Sequence, residues 1–287
     1  MCSPAVIAHR GYAGVEPENT VAAAVNAAAR DETAMIEIDV QPAACDTPVV
    51  VHDERLDGER GGRPLTDLTG FVWETLLADL ESTRVLGTDE SVPTLATLLE
   101  AIPETIGVNV ELKNPGIETV RPDESLSPAV RDERRAIWEP FVERVVEDCD
   151  AFGGELLFSS FCEGAIAAIR TVAPEYAAAP LIWSDLEAGV EIARRYDCEA
   201  IHPPRNAIVG TDLVETSYAG VSAGEPDLDV LEVAHDEGRA VNVWTVETWH
   251  EFDQLAAVGV DGIVAEYPGL GRRSVSPRPS TLDDGAT

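Results

Sequence analysis

The chain has 287 residues, 45% of them hydrophobic, and sets 53 acidic residues against 20 basic ones for a net charge of −33. That length supports one sizeable core, since α/β barrels of roughly 250 residues commonly form a single domain. A charge this negative argues against a nucleic-acid partner, whose phosphates need a basic surface.

The first apolar run predicts a strand over 5–9, and VIAHRG delivers His9 and Arg10 at its end. A helix follows near 19–30, with Asn19 read as its cap. The next strand, 35–41, reads MIEIDVQ and carries Glu37 and Asp39 two residues apart, hence on one face. Only a few residues around Cys45–Thr47 separate it from PVVVHD, which ends at His52 and Asp53. A parallel crossover needs a dozen or more residues. This run must therefore fold back as an accessory antiparallel strand, with His52 approximately opposite Asp39.

The stretch 53–91 is rich in turn residues and reads as irregular. A helix at 94–102 leads to a strand at 107–112, where VNVELK supplies Glu111 and Lys113, the only lysine in the protein. Helices near 132–150, 162–172, 185–197, 227–238 and 248–258 then alternate with strands at 155–160, 178–183, 199–203, 240–246 and 261–265. His202 and Trp244 end two of these strands and read as pocket lining, whereas His235 and His250 fall on helices as surface residues. The stretch 206–226 reads as a second irregular segment. Ser160 with Glu163, Ser184 with Glu187, and Thr248 with Glu251 each fit a capping box, in which hydroxyl and carboxylate satisfy orphan N–H groups reciprocally. Residues 1–273 are expected to form one domain, and the Pro/Ser/Asp-rich 274–287 a frayed tail.

Regular alternation of strand and helix predicts a parallel sheet. Eight strands with helical crossovers most simply close into a (β/α)₈ barrel, an open doubly wound sheet being the alternative. In a barrel the carboxyl ends of the strands form the chemical face. His9, Glu37, Asp39 and Glu111 then share one rim, and the hairpin brings His52 over them.

Acids two residues apart are common in so acidic a chain, and Glu37 with Asp39 alone reads as an ordinary strand end. Glu111, on a second strand of the same type, changes that. Three carboxylates without a Cys/His ligand pattern suit one hard divalent cation, Mg²⁺ or Ca²⁺, more than zinc. Two imidazoles meet the needs of phosphodiester cleavage, in which one group accepts the attacking oxygen's proton and another protonates the departing alkoxide. Arg10 can grip two phosphate oxygens, and Lys113 supplies a point charge.

Five scattered cysteines without a C-x-x-C pair read as reduced thiols. The sequence shows neither a charged leader before an apolar stretch nor an apolar run approaching roughly 18 residues, so a cytoplasmic protein without membrane insertion is expected. The acid-rich, lysine-poor composition suits a halophilic cytoplasm, where salt screens self-repulsion; a generally acidic protein without salt adaptation is the alternative.

Taken together, HRG followed by PENT, then IEIDVQ, PVVVHDERLD, VPTLATLLE, VNVELK, LLFSSF, VNVWTV and GVDGIVAEYP resemble the glycerophosphodiester phosphodiesterases, in family order over nearly all of residues 5–268. The resemblance implies a distorted TIM barrel that cleaves a small glycerophosphodiester. It implies His9 and His52 as the acid–base pair, Glu37, Asp39 and Glu111 as ligands of the divalent cation, and Arg10 and Lys113 as phosphate contacts. Two departures stand out. Ala265-Glu266-Tyr267-Pro268 replaces the family's Thr-Asp-x-Pro, and Asp57-Gly58-Glu59-Arg60 replaces an Arg-Thr-Thr pattern after the His-Asp pair. A lysophospholipase-D-like enzyme and a catalytically silent phosphate-binding barrel are the alternatives. Oligomeric state is left open.

Overall fold

A computed structural model describes residues 3–271, so the tail expected at 274–287 lies outside the described residues. Eight parallel strands form the central sheet: β1 (Ala5–His9), β2 (Thr33–Pro42), β6 (Gly107–Leu112), β7 (Leu156–Ser160), β8 (Ala177–Pro180), β9 (Ala200–Ile201), β10 (Ala240–Val246) and β11 (Gly262–Ala265). Their spatial order is β8-β7-β6-β2-β1-β11-β10-β9. The seam between β8 and β9 is stitched by a parallel bridge between Leu181 and His202. There the His202 N–H donates to the Pro180 carbonyl, and the Ile182 N–H to that of His202. The sheet is thus a nearly closed barrel, and the doubly wound alternative falls because its two edges meet.

Helices α1 (Val21–Ala28), α3 (Leu95–Ala101), α4 (Pro128–Cys149), α5 (Glu163–Val172), α6 (Leu186–Arg195), α7 (Val230–Asp236) and α8 (Trp249–Val258) accompany the strands. The main core joins the strands' outward apolar residues, such as Ile36, Ile38, Val108 and Val110, to those of the helices. A second cluster, of Ile7, Met35, Leu157, Ala179, Ala200 and Val264, fills the barrel's interior.

Of the three expected capping boxes, only Thr248 with Glu251 forms. Ser160 instead donates to the Leu112 carbonyl and accepts from the Cys162 N–H. Glu163, fully buried, takes Arg195, Tyr196 and the Leu126 N–H. The cap of α6 is Asp185, not Ser184. In both failed cases a tertiary partner, or a neighbour one residue on, claimed the group first.

The accessory strand β3 (Pro48–Val50) pairs antiparallel with β2 through Val40–Val50, Gln41–Val49 and Pro42–Pro48. That register sets Val51 against Asp39, and the Val51 N–H donates to the Asp39 carbonyl. His52 therefore falls one residue past the expected position, just beyond the strand. Gln41 catches the turn there, its amide nitrogen lying 3.0–3.1 Å from the carbonyls of Val51, His52 and Asp53.

Residues 53–91, read as irregular, contain a short hairpin of β4 (Glu59–Arg60) with β5 (Arg63–Pro64) and the single-turn helix α2 (Leu77–Leu80). They also have their own small core, in which Val49, Val51, Leu56, Leu65, Val72, Leu80 and Val85 pack together. The segment is a built platform under His52. Residues 206–226 contain a short 3₁₀ turn, Asp212–Glu215, the end of another, Arg205–Ala207, and a tight turn closed by an antiparallel bridge between Tyr218 and Val221.

Trp138 is the largest of the fully enclosed side chains, and it lies against Gly164 where α4 crosses α5. Replacing Trp138 with Ala is expected to cost about 3–5 kcal/mol through lost burial and an unfilled cavity. Urea unfolding read by circular dichroism checks this, and a loss under 1 kcal/mol would contradict the packing described.

Candidate active site

The strand ends determine which side chains meet. β1, β2 and β6 lie side by side, with His9 beside Glu37 and Asp39 beside Glu111 in register. Glu37, Asp39 and Glu111 are all buried and offer oxygens lying within 4.8 Å of one another. The spacing of two in IEID and the alternation of VNVEL produce this, because polar residues face inward where apolar ones face the helices.

Two cations offset the trio. Arg10 leaves β1 in a left-handed turn (φ 49°) and places Nε 3.1 Å from Asp39 and Nη1 3.0 Å from Glu18. Its backbone N–H donates to Glu37 at 3.1 Å. Gly11 continues the turn at φ 78°, and a Cβ there would meet Ala23 at 2.7 Å, so the residue leaves room for α1. Lys113 reaches Glu111 at 2.7 Å and Asp39 at 3.5 Å. Asn19 is not the cap of α1, which is Thr20. Buried and also at positive φ, Asn19 donates its amide to Asp39 at 2.8 Å and accepts the Asp39 N–H at 3.2 Å.

Burial and mutual repulsion divide the three acids. Burial, reinforced by Asp39 and Glu111, holds Glu37 well above the usual carboxylate range. Burial likewise pushes Glu111 up to about 7, with Lys113 opposing it. Asp39 goes the other way: burial is outweighed by Arg10, His52, Lys113 and the Asn19 amide, which hold it far below its ordinary value. Glu37 Oε1 and Asp39 Oδ1 are buried without a hydrogen-bond partner. Hard oxygen donors, excess negative charge and unsatisfied acceptor atoms fit a divalent cation held by Glu37, Asp39 and Glu111.

Both histidines face the same space. A cavity of about 500 Å³ opens at the barrel rim, and His9, Arg10, Glu37, His52, Glu111, Lys113, His202 and Trp244 all line it. The His9 Nδ1 lies 2.5 Å from Glu266, and its Nε2 is 4.0 Å from Glu37. The His52 Nδ1 lies 2.6 Å from Asp53, which Arg60 also holds at 2.5 Å. Arg60 in turn reaches Glu18 at 3.1 Å, so a chain of charges runs from Asp53 back to Arg10. Burial and the nearby Lys113 and Arg10 charges push His52 down to about 3.

His202 lies at the cavity's depth, fully buried, with Nε2 accepting from Asn242 at 3.0 Å; burial pushes it down to about 3. Trp244 belongs to an aromatic wall with Phe161, Trp183 and Tyr218, whose neighbouring ring centroids are 5.5–5.7 Å apart. His235 and His250 are exposed on α7 and α8, as expected from their helical setting.

Sequence reasoning missed several residues here. Asp53, Arg60 and Glu18 assemble behind His52, and Glu266 behind His9. Arg60 and Glu266 both stand where the sequence departs from its family pattern, which was the available signal. Trp183 gave none.

A nearly closed parallel barrel with a carboxylate cluster, two imidazoles and two cations at its carboxyl rim defines a metal-assisted phosphodiester hydrolase. A profile of the glycerophosphoryl diester phosphodiesterase family matches residues 9–270, and the chain belongs to that family. A glycerophosphodiester phosphodiesterase of Caldanaerobacter subterraneus subsp. tengcongensis is 28% identical over 277 residues, spanning 92% of this chain and 94% of the relative. Among solved structures, a phosphodiesterase of Oleispira antarctica, in complex with the product sn-glycerol-3-phosphate, superposes with a TM-score of 0.70 at 25% identity, covering 93% of this chain and 94% of that one. A lysophospholipase D of Rattus norvegicus is 29% identical over 149 residues, half of this chain and 47% of its own length. No helix among the described residues is long and apolar enough to cross a membrane.

The protonation of the acids sets the centre's response to pH. With Glu111 near 7 and Glu37 also raised, a cation entering at mildly acidic pH must displace protons, and at alkaline pH it need not. The thermal stabilisation given by saturating Mg²⁺ or Ca²⁺ is therefore expected to grow between about pH 5 and about pH 8. It should reach about 2.7 kcal/mol at a hundredfold excess over Kd, or on the order of 5–10 °C. Scanning fluorimetry across pH checks this. A pH-independent increment, or one retained in Glu111→Gln, would remove the cluster as the binding site.

Proposed function

We propose that the protein hydrolyses glycerophosphodiesters to glycerol phosphate and an alcohol with the help of one Mg²⁺ or Ca²⁺ ion. The carrying observation is that both histidines line one cavity with the carboxylate trio, and that each turns its Nδ1 to a carboxylate outside that trio. Glu37, Asp39 and Glu111 would hold the cation. When bound, it offsets charge on the phosphoryl oxygens. Arg10 and Lys113 give up part of their pairing with the trio to hold the phosphate.

One imidazole takes the proton from the attacking oxygen, either water or a neighbouring substrate hydroxyl, while the other protonates the departing alkoxide. The platform carrying His52 and the aromatic wall close the site on two sides, reducing the water that competes for the charged groups. His202 and Trp244 shape the cavity around the substrate's organic part.

Lysophospholipids are the second reading, and one observation favours it. Trp183 remains 42% exposed beside the rim although its backbone is pinned, with the N–H groups of Trp183, Ser184 and Asp185 all donating to Asp123. A fixed, exposed indole next to the cavity can receive an acyl chain. The buried, unpaired thiols of Cys149, Cys162 and Cys198 agree with a reducing cytoplasm, and the acid-rich composition with a salt-rich one.

Turnover of glycerophosphocholine with saturating cation is expected, and His9→Ala and His52→Ala are each expected to lower kcat by about 10²–10⁴-fold while cation binding persists. Retention of full turnover by either variant would overturn the acid–base reading. Trp183→Ala is expected to lower kcat/KM for a lysolipid by about 10-fold while sparing glycerophosphocholine, if the indole holds a chain; equal effects on both substrates would count against the lipid reading.

A further inference from the structure

Glu266 stands where the family pattern has a shorter acid, and the fold accounts for its reach. β1 and β11 are parallel neighbours with Ala8 opposite Ala265, so His9 and Glu266 leave the rim side by side. Glu266 is anchored at both ends of its backbone, its N–H donating to the Val246 carbonyl and its own carbonyl accepting the Gly14 N–H. Its Oε2 meets the His9 Nδ1 at 2.5 Å. The carboxylate can only accept, so Nδ1 carries the hydrogen. In the neutral ring the lone pair is then on Nε2, the atom facing Glu37 and the cavity.

We propose that Glu266 is a positioning residue for His9, fixing the ring's rotation and its Nδ1–H tautomer so that Nε2 is presented to the phosphoryl site. The inference rests on His9 being one of the two proton-transfer groups. A carboxylate oriented on Nδ1 is the arrangement by which an imidazole is held for chemistry at Nε2. His52 also turns its Nδ1 to a carboxylate, that of Asp53, but there the Arg60 guanidinium lies 3.2 Å from the same nitrogen, so the unshared pairing belongs to His9. The bland reading, an ion pair that only steadies the rim, predicts a small stability effect and no selective loss of turnover.

The experiment uses the full chain with saturating divalent cation and compares Glu266→Ala, Glu266→Gln and Glu266→Asp. The alanine and glutamine variants are expected to lose kcat by on the order of 10²-fold, with KM and cation Kd changing less than about 3-fold. Glutamine is nearly isosteric, but its amide can donate to Nδ1 and select the opposite tautomer. Aspartate is expected to recover part of the loss. Long-range ¹H–¹⁵N spectra of the protein labelled at its five histidines, at about pH 8.5, should show His9 with hydrogen on Nδ1 in the native protein and on Nε2 in Glu266→Gln.

Added to His9→Ala, Glu266→Gln should cost nothing further, since the two act as one unit. Alanine and glutamine variants within 3-fold of the native kcat, or an unchanged tautomer, would overturn the inference while leaving His9→Ala free to report on the acid–base reading. Full activity in His9→Ala would instead sink that underlying reading.

Discussion

Three carboxylates crowded within a few ångströms, almost out of contact with water, are the constraint around which the rest is arranged. Like charges so close and so buried cannot all stay ionised without compensation. The chain supplies Arg10 and Lys113 from strand ends already adjacent to the acids, plus the Asn19 amide on Asp39. Compensation remains incomplete, since two carboxylate oxygens are buried without hydrogen-bond partners. The barrel geometry gathers the charge, and the remaining imbalance is what a divalent cation would offset.

The same geometry explains the arrangement of the second histidine. His9 comes from the barrel itself, whereas His52 rides on a hairpin with a separate apolar core under it. The two are joined by polar links that cross between the bodies: Gln41 to the carbonyls around His52, and Arg60 to both Asp53 and Glu18. The Arg60 links join charged partners and are the stronger kind, while Val50 of the hairpin strand also packs into the main core.

Much of this was legible in the sequence. Apolar strand-like runs alternating with helical patterns located the eight strands, and chain order then placed Glu37, Asp39 and Glu111 at one rim. The short link after Gln41 forced the antiparallel turn that carries His52. The resemblance of the ordered motifs suggested the proton-transfer and phosphate roles that are proposed above. What escaped was of another kind. The His9–Glu266 contact joins residues 257 positions apart, and only closure of the barrel brings them together. Asn19 looked like a helix cap because its residue type favours caps, but a left-handed backbone turned it inward, and Thr20 took the cap. The platform at 53–91 appeared irregular because its apolar residues follow no period; they meet through turns instead of along an element.

Lys113 carries a consequence of a different sort. It is the only lysine in the chain and sits mostly enclosed at the centre, where Glu111 and Asp39 hold its ammonium above its ordinary value although burial alone would lower it. Reagents that acylate or cross-link through side-chain amines therefore find no outer lysine among the described residues to attack, and the one they could reach is kept charged and poorly nucleophilic. Such a molecule is close to invisible to lysine-directed modification, and any ε-amine labelling that does occur reports directly on the opening of its chemical centre.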